Sequence, residues 1–312
     1  MKKVLFFTTT DDRMSKGCAL LIYSLKKHIP NFDDYDMKVV YNNLSDDNKK
    51  MISDVHSEVI FEKPFDTEFC KNIPTLYGNN NQDTYLCFDS FRQLDYDKVV
   101  VLDSDMLCVG DFSELWLKEK FNKPLIACHK SGLNRRNVQN SEDGPIFQMM
   151  HNGKFNAGFF VIGKEYLKDY KVYNDLVSIT KKRSNGKIYN DQDAIVEYWV
   201  GGDGTKKGWY VVPAFYNYRE FGVGPGPKEF EPGDKLFRKV VDETKIIHYS
   251  GKRKPWGNIT DRSKDNGRFD VCSIADPMLM NHSLAMHTWH NYYKECFGEW
   301  CKTDWYKIKE KV

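Results

Sequence analysis

Lys98-Val99-Val100-Val101-Leu102-Asp103-Ser104-Asp105-Met106 decides how this chain is read. Val99 to Leu102 is an unbroken apolar run, the pattern of a strand buried on both faces inside a helix-flanked parallel sheet. Two carboxylates then stand at its carboxyl end, the edge at which open α/β sheets bind ligands. Alternation along an extended chain puts residues i and i+2 on one side, so Asp103 and Asp105 are expected to converge on one oxygen-seeking cation. The ordinary alternative is a solvated turn, because Asp111-Phe112-Ser113-Glu114 signals a helix start shortly afterwards.

Outward from this strand, the chain alternates in type. Val4 to Thr8 reads as a strand, Ser15 to Ile29 as a helix stopped by Pro30, Met37 to Tyr41 as a strand and Asp46 to Val55 as a short helix. Val59 to Phe61 is a brief strand, Asp83 to Leu94 a helix and Leu125 to Cys128 another strand. Strands separated by helices imply crossover connections and a mainly parallel α/β sheet. Later, Phe159 to Ile162, Trp209 to Val212 and Lys245 to His248 read as strands, and Glu165 to Thr180 and Asp191 to Tyr198 as helices. Phe221-Gly222-Val223-Gly224-Pro225-Gly226-Pro227 interrupts any regular element. Past Asp276-Pro277, Met286, Trp289, Tyr293, Cys296 and Trp300 recur at spacings of three and four, a helix expected to pack its apolar face on the main body.

Composition narrows the function. The length of 312 residues suggests about two domains at ~150 residues each. An aromatic content of 14% excludes a disordered chain. A net charge of +2 supplies no bulk attraction to nucleic acid or to an anionic membrane, so an anionic ligand must be met by a local cluster. No stretch approaches the ~20 apolar residues of a membrane helix. The start, Lys2-Lys3 followed by Val4 to Phe7, resembles a secretory leader, but the apolar run gives way to Thr8-Thr9-Thr10-Asp11-Asp12 where a leader continues for roughly 7–15 residues. The eight cysteines form no CxxC pair and no zinc-like spacing, and they read as reduced core thiols. Sequons at Asn43, Asn258 and Asn281 matter only in a secretory compartment. A cytoplasmic location is expected.

A second cluster, Ile246-Ile247-His248-Tyr249-Ser250-Gly251-Lys252-Arg253-Lys254-Pro255-Trp256, ends an apolar strand with a histidine, a glycine and three cations. A neutral imidazole beside two carboxylates suits a divalent ion with positions left for diphosphate oxygens. Two enzyme chemistries use Asp-x-Asp after a strand. One is the metal–diphosphate site of a sugar-nucleotide transferase. The other is the nucleophile loop of a haloacid-dehalogenase-like phosphatase, with an aspartyl-phosphate on Asp103 and Mg²⁺. The phosphatase motif normally lies on the first strand, whereas this one begins at residue 103.

Asp103-Ser104-Asp105 together with His248-x-x-Gly251-x-x-Lys254-Pro255-Trp256 resembles glycosyltransferase family 8, the glycogenin-like retaining enzymes of the GT-A fold. Phe6 to Leu25 with its Lys16-Gly17, Phe155-Asn156-Ala157-Gly158-Phe159-Phe160-Val161 and Asn190-Asp191-Gln192-Asp193-Ala194 are similar to further segments of that family, in the same order. The resemblance spans residues 3 to 257. It implies a GT-A catalytic domain, a Rossmann-like and mainly parallel sheet, over 1–262, with a helical extension over 263–312 packed on it.

It also implies roles. Thr8, Thr10, Asp11 and Met14 would line a uridine pocket, and Ser104 would sit near the ribose. Asp103, Asp105 and His248 would ligate Mn²⁺, with Mg²⁺ as the alternative. Gly251 and Lys254 would hold the diphosphate. Asn156, Ala157, Asp191 and Gln192 would contact the transferred sugar, with Asp191, Gln192 and Asn156 as the catalytic group. The implied reaction is retaining transfer of a hexose or related sugar from a UDP-sugar to a hydroxyl of a glycan, lipid-linked sugar or protein. No nucleic-acid partner is implied, and a homodimer is left open. A non-catalytic sugar-nucleotide or glycan-binding protein is the remaining alternative.

Two departures stand out. Cys87 occupies the place where the family often carries a Lys or Arg, and Arg92, one turn later, is the candidate substitute. Pro213 to Tyr218 resembles the stretch leading to the acceptor loop. No tyrosine follows it before Tyr249, so self-glucosylation of the glycogenin type is not expected.

Overall fold

The computed structural model describes residues 3–72, 79–129, 138–141, 144–147, 155–183, 190–200, 209–218, 243–250, 254–256 and 277–301. The first half holds β1 (Val4–Thr10), α1 (Ser15–His28), β2 (Asp36–Tyr41), α2 (Asp46–Val55), β3 (Ile60–Glu62), α3 (Thr67–Asn72), β4 (Lys98–Leu102), β5 (Met106–Cys108), α4 (Glu114–Leu117) and β6 (Leu125–His129). The second half holds β7 (Val138–Ser141), β8 (Gly144–Phe147), β9 (Phe155–Gly163), α5 (Lys171–Arg183), α6 (Asp191–Val200), β10 (Tyr210–Val212), β11 (Ile246–His248) and α7 (Pro277–Phe297).

A seven-stranded sheet of order β10-β6-β9-β4-β1-β2-β3 forms the centre. Its strands run parallel except β9, which is antiparallel to both β4 and β6. The mainly parallel sheet expected from the sequence is therefore present. Every residue of β4 and of β9 is buried. Alternate side chains feed two cores. Phe6, Val100, Leu102 and Val161 join Leu21 and Leu25 of α1 on one face. Leu5, Phe7, Val99, Val101 and Phe160 join Phe88, Phe91 and Trp199 on the other. Each such aliphatic or aromatic burial contributes about 1.5–3 kcal/mol, which holds the carboxyl edge of the sheet as a rigid rim.

Several elements differ from expectation. The helix read over 83–94 is a 3-10 helix over Asn79–Arg92. The helix read over 165–180 is broken into a 3-10 turn, Lys164–Leu167, and α5, because Asp169 Oδ1 accepts the Lys171 N–H at 2.9 Å and restarts the chain. β9 starts at Phe155 rather than Phe159. β5 and the β7–β8 hairpin had no counterpart in the sequence reading. The Gly/Pro loop at 221–227 lies outside the described residues.

The α7 helix packs on α1 and on the rim. Trp289 and Tyr293 share a cluster with Leu20, Leu107 and Ile247. Tyr249 donates its hydroxyl hydrogen to the Ala285 carbonyl at 2.6 Å. Lys27 pairs with Glu295 at 2.6 Å, and His28 Nε2 lies 2.7 Å from the Tyr292 hydroxyl. No described helix is long and apolar enough to cross a membrane.

Candidate active site

The site is built where β4 ends. Asp103 donates its N–H to the Gly158 carbonyl at 2.8 Å, extending the β4–β9 pairing by one residue, and Met106 N–H closes a turn on the Asp103 carbonyl at 3.2 Å. The two carboxylates therefore converge through a turn between β4 and β5, and the strand alternation first invoked is replaced by this geometry. β5 then pairs antiparallel with β11 in a register that sets His248 opposite Met106. Tyr249 N–H donates to the Asp105 carbonyl at 2.9 Å. A three-residue strand thus carries the imidazole from a distant part of the chain onto the Asp-x-Asp turn.

His248 Nε2 lies 3.2 Å from Asp105 Oδ1 and 3.5 Å from Asp103 Oδ2. One ligand atom from each of the three residues falls within 4.8 Å of the others. Neighbouring ligands of a small divalent ion, with bonds of about 2.1 Å, stand roughly 3 Å apart, so this spacing suits one. The close approach needs Gly158. A Cβ there would lie 2.4 Å from His248 Cε1 and 2.6 Å from Asp103 Oδ2.

Charge is divided unequally between the carboxylates. Burial works to raise Asp105, but the Lys254 ammonium and then the His248 ring outweigh it and hold that carboxyl well below the usual range. Lys254 Nζ contacts Asp105 Oδ2 directly and also donates to the Tyr249 carbonyl at 3.0 Å. Asp103 moves the other way, raised by surrounding protein atoms and then by the charge of Asp105. Its side chain keeps 45% of its surface open, so solvent tempers that rise. Asp103 is the outward member and Asp105 the inward one.

Beside this cluster, buried amides form a chain. His248 Nδ1 lies 2.9 Å from Asn217 Oδ1, Asn217 Nδ2 donates to Asn156 Oδ1 at 2.8 Å, and Asn156 Nδ2 donates to Gln192 Oε1 at 2.9 Å. Ala157 N–H also points at Gln192 Oε1, at 3.4 Å. Asp191 and Gln192 open α6, aimed at the same rim. Burial pushes the Asp191 carboxyl up to about 6, against the opposing pull of the Gln192 N–H and the Thr84 hydroxyl. Cys87 stands 3.7 Å from Asp191 Oδ2 with its thiol driven well up, first by burial and then by the Asp191 charge. Arg92 does not take the place of the missing cation. Its guanidinium lies 3.3 Å from the centre of the Phe65 ring and 3.9 Å from Asp89, where cation–π contact holds it.

Thr8, Thr10, Asp11 and Met14 lie at the carboxyl end of β1, beside β4. Thr8 is fully buried, with no protein partner for Oγ1. Thr10 Oγ1 faces the Asp11 carbonyl at 3.4 Å. Asp11 accepts the Met14 N–H at 2.8 Å and pairs with Arg13 at 2.6 Å. Ser104 is buried, and Gly17 lets its carbonyl come close: a Cβ on Gly17 would lie 2.5 Å from Ser104 O and 2.4 Å from Trp256 Cη2. Trp256 also donates to the Arg13 carbonyl at 2.8 Å and packs at a tilt of 35° on Trp289 of α7, with ring centres 5.4 Å apart. Gly251 lies outside the described residues. The sequence reading missed Asn217, and it missed Asp83, whose carboxyl accepts from Asn42 at 3.2 Å and is raised by burial, with the charge of Asp11 adding to the rise. Neither residue carries a motif. Asn217 lay inside a stretch already marked, but nothing there singled out the amide.

Residues 4–260 match the family described as Glycosyl transferase family 8. The chain is 23% identical over 242 residues to the lipopolysaccharide 1,3-galactosyltransferase of Salmonella typhimurium, covering 72% of this chain and 66% of that protein. It is 22% identical over 285 residues to glycogenin-1 of Homo sapiens, covering 91% and 70%. Among solved structures, the galactosyltransferase LgtC in complex with donor and acceptor sugar analogs superimposes with a TM-score of 0.60 at 16% identity, over 99% of this chain and 100% of that one. The family match runs from β1 past Trp256 and decides against the phosphatase reading of Asp103. With its sheet, its Asp-x-Asp turn and its His248 strand inside the matched span, the chain belongs to glycosyl transferase family 8 and is a glycosyltransferase of the GT-A fold.

Proposed function

We propose that the protein transfers a hexose or related sugar from a UDP-sugar to a hydroxyl of an external glycan, lipid-linked sugar or protein, with retention of configuration and dependence on Mn²⁺. The observation that carries this reading is the donor set of Asp103, Asp105 and His248, whose ligand atoms lie within 4.8 Å of one another at the ligand edge of the sheet. Two features of the protein support a cation there. The Lys254 ammonium already rests on Asp105 as a positive stand-in, and Gly158 leaves the room that a side chain would fill. Asp103, Asp105 and His248 would hold the Mn²⁺, which would supply charge neutralisation at the diphosphate.

The chain's own groups do the rest. Lys254 leaves Asp105 and donates to the departing diphosphate, the preorganised electrostatic help that dominates many enzymatic rate enhancements. Trp256, seated against Gly17 and Trp289, anchors the chain two residues from Lys254. Gln192 has its oxygen occupied by Asn156 and Ala157, so its Nε2 is the end offered to a sugar hydroxyl. Asp191, ionised at neutral pH, lends negative charge to the oxocarbenium-like sugar. Retention then follows from attack on the face the diphosphate leaves, with a diphosphate oxygen taking the acceptor proton. Seven described thiols, all free, suit the cytoplasm as its compartment.

A screen of UDP-glucose, UDP-galactose, UDP-xylose and UDP-N-acetylhexosamines with Mn²⁺ tests the reading, because many transferases hydrolyse their own donor slowly. One donor is expected to be cleaved, with loss of cleavage in EDTA. In calorimetry, equal UDP affinity with Mn²⁺ and with EDTA sinks the metal assignment. A glycosyl adduct trapped on Asp191 overturns same-face attack.

A further inference from the structure

We propose that Asn217 is a positioning residue that sets the tautomer of His248, and that it does so because one backbone N–H at Gly158 fixes the direction of the whole buried amide chain. The proposal rests on the reading of His248 as a metal ligand for its purpose, but its test does not.

A neutral imidazole can ligate only through the nitrogen that carries no hydrogen, and the partner of the other nitrogen decides which one that is. The partner of His248 Nδ1 is the side-chain amide of Asn217, at 2.9 Å. An amide by itself decides nothing, since it offers an acceptor at one end and donors at the other. Direction must come from a group that cannot turn round. Gly158 N–H is such a group. It can only donate, and it lies 3.2 Å from Asn156 Oδ1. The Asn156 oxygen is therefore the end that faces it. The same oxygen is 2.8 Å from the Asn217 amide, so Asn217 must present its NH₂ there and its oxygen to His248. With an oxygen facing it, Nδ1 carries the hydrogen, and Nε2 turns a bare lone pair to Asp103 and Asp105.

A second fixed donor agrees. Asn156 turns its NH₂ to Gln192 Oε1, and Ala157 N–H points at the same oxygen. The opposite orientation of Asn217 would set two amide oxygens face to face at 2.8 Å with no hydrogen between them. His248, Asn217, Asn156 and Gln192 are all buried, so no water competes to relax such a clash.

The arrangement answers a specific hazard. Asp105 Oδ1 lies 3.2 Å from Nε2 and attracts a hydrogen to that nitrogen. Left alone, the carboxylate would favour the Nε2–H tautomer, whose hydrogen blocks the ligand position. Asn217 holds the hydrogen on the far side. It also joins the imidazole to Asn156 and Gln192, so the groups proposed for metal and for sugar share one polarised chain.

Nitrogen-15 NMR of the imidazole in the metal-free protein, at a pH where the ring is neutral, reads the tautomer directly. The unaltered protein is expected to show Nδ1–H. Asn217→Leu, similar in volume but without an acceptor, is expected to show Nε2–H and to bind Mn²⁺ about 10–100-fold more weakly in calorimetry. Asn217→Gln keeps both an acceptor for Nδ1 and an NH₂ for Asn156 and is expected to return the Nδ1–H signature, which also guards against a misfolded leucine variant. An Nε2–H ring in the unaltered protein, or an unchanged tautomer in Asn217→Leu, overturns the proposal. A tautomer shift with Mn²⁺ affinity unchanged supports the role of Asn217 and overturns the ligand reading of His248 instead.

Discussion

Replacing Lys254 by methionine is expected to move two affinities in opposite directions. In the protein without nucleotide, the ammonium occupies Asp105, with the lysine side chain 19% and the aspartate side chain 7% exposed. A divalent ion entering the site must displace that ammonium and sit near its charge. Exposed ion pairs contribute about 0–1 kcal/mol, and breaking fully buried ones costs about 3–5. This partly buried pair falls between them, at roughly 1–2 kcal/mol once solvent screening is counted. Lys254→Met removes the competitor while keeping most of the apolar stem, so Mn²⁺ alone should bind about 5–30-fold more tightly. With Mn²⁺ saturating, the sign reverses for the nucleotide. Loss of a charge-assisted hydrogen bond of about 1.5–3 kcal/mol should weaken UDP by roughly 10–100-fold. Uridine, which has no diphosphate, should bind unchanged. Three calorimetric titrations decide the matter: Mn²⁺ alone, then UDP and uridine in excess Mn²⁺. Weaker or unchanged Mn²⁺ binding refutes the competition, and equal losses for UDP and uridine refute the diphosphate role.

Gly158→Ala should abolish Mn²⁺ binding, followed by the spin resonance of the free ion, while overpacking lowers stability by only about 1–3 kcal/mol. Retained Mn²⁺ affinity would show that the ring and carboxylate tolerate a methyl group between them. Asp191→Asn should cut kcat for donor hydrolysis by about 10²–10³ with little change in UDP affinity, and a parallel fall in UDP affinity would make it a binding group. Asp89, which pairs with Arg92 and accepts the Phe65 N–H, is raised to about 6 by burial. Its folded form holds the proton more tightly than the unfolded chain, so its contribution to stability is full below about pH 4 and declines as pH rises to about 6. The stability of Asp89→Asn relative to the unaltered protein should therefore rise by roughly 2–3 kcal/mol across that window in urea unfolding, and a flat difference would refute the shift.

The sheet was legible because buried parallel strands announce themselves as apolar runs, and Val99 to Leu102 is such a run. The ligand trio was legible as a motif, but the physical reason lay elsewhere. A strand of three residues, Met106 to Cys108, is too short to show any period, yet its pairing with Ile246 to His248 delivers the imidazole. β9 was legible only in part. Phe159 to Ile162 is an apolar run that reads as a strand, but Asn156-Ala157-Gly158 before it is small and polar and does not continue that run. Arg92 looked available to a site one turn away, but Phe65 and Asp89 hold it, and nothing in the spacing of residues forecasts that. Asn217 was invisible as a participant because an amide acquires a direction only from its neighbours in space.

The reversed strand has a consequence for how such a chain can diversify. Because β9 runs against β4 and β6, β6 ends and β9 begins at the same edge of the sheet, so the chain leaves at His129 and re-enters at Phe155 on the rim that carries Asp103. Thr8 to Met14, Asp103 to Asp105 and His248, the residues proposed for the donor, belong to other parts of the chain. Residues can be inserted, deleted or exchanged between 130 and 154 without altering the register of the seven-stranded sheet. The fold thereby separates two kinds of heritable variation: one span whose length the central sheet does not constrain, and a rim on which a single methyl group, at Gly158, already meets His248 and Asp103.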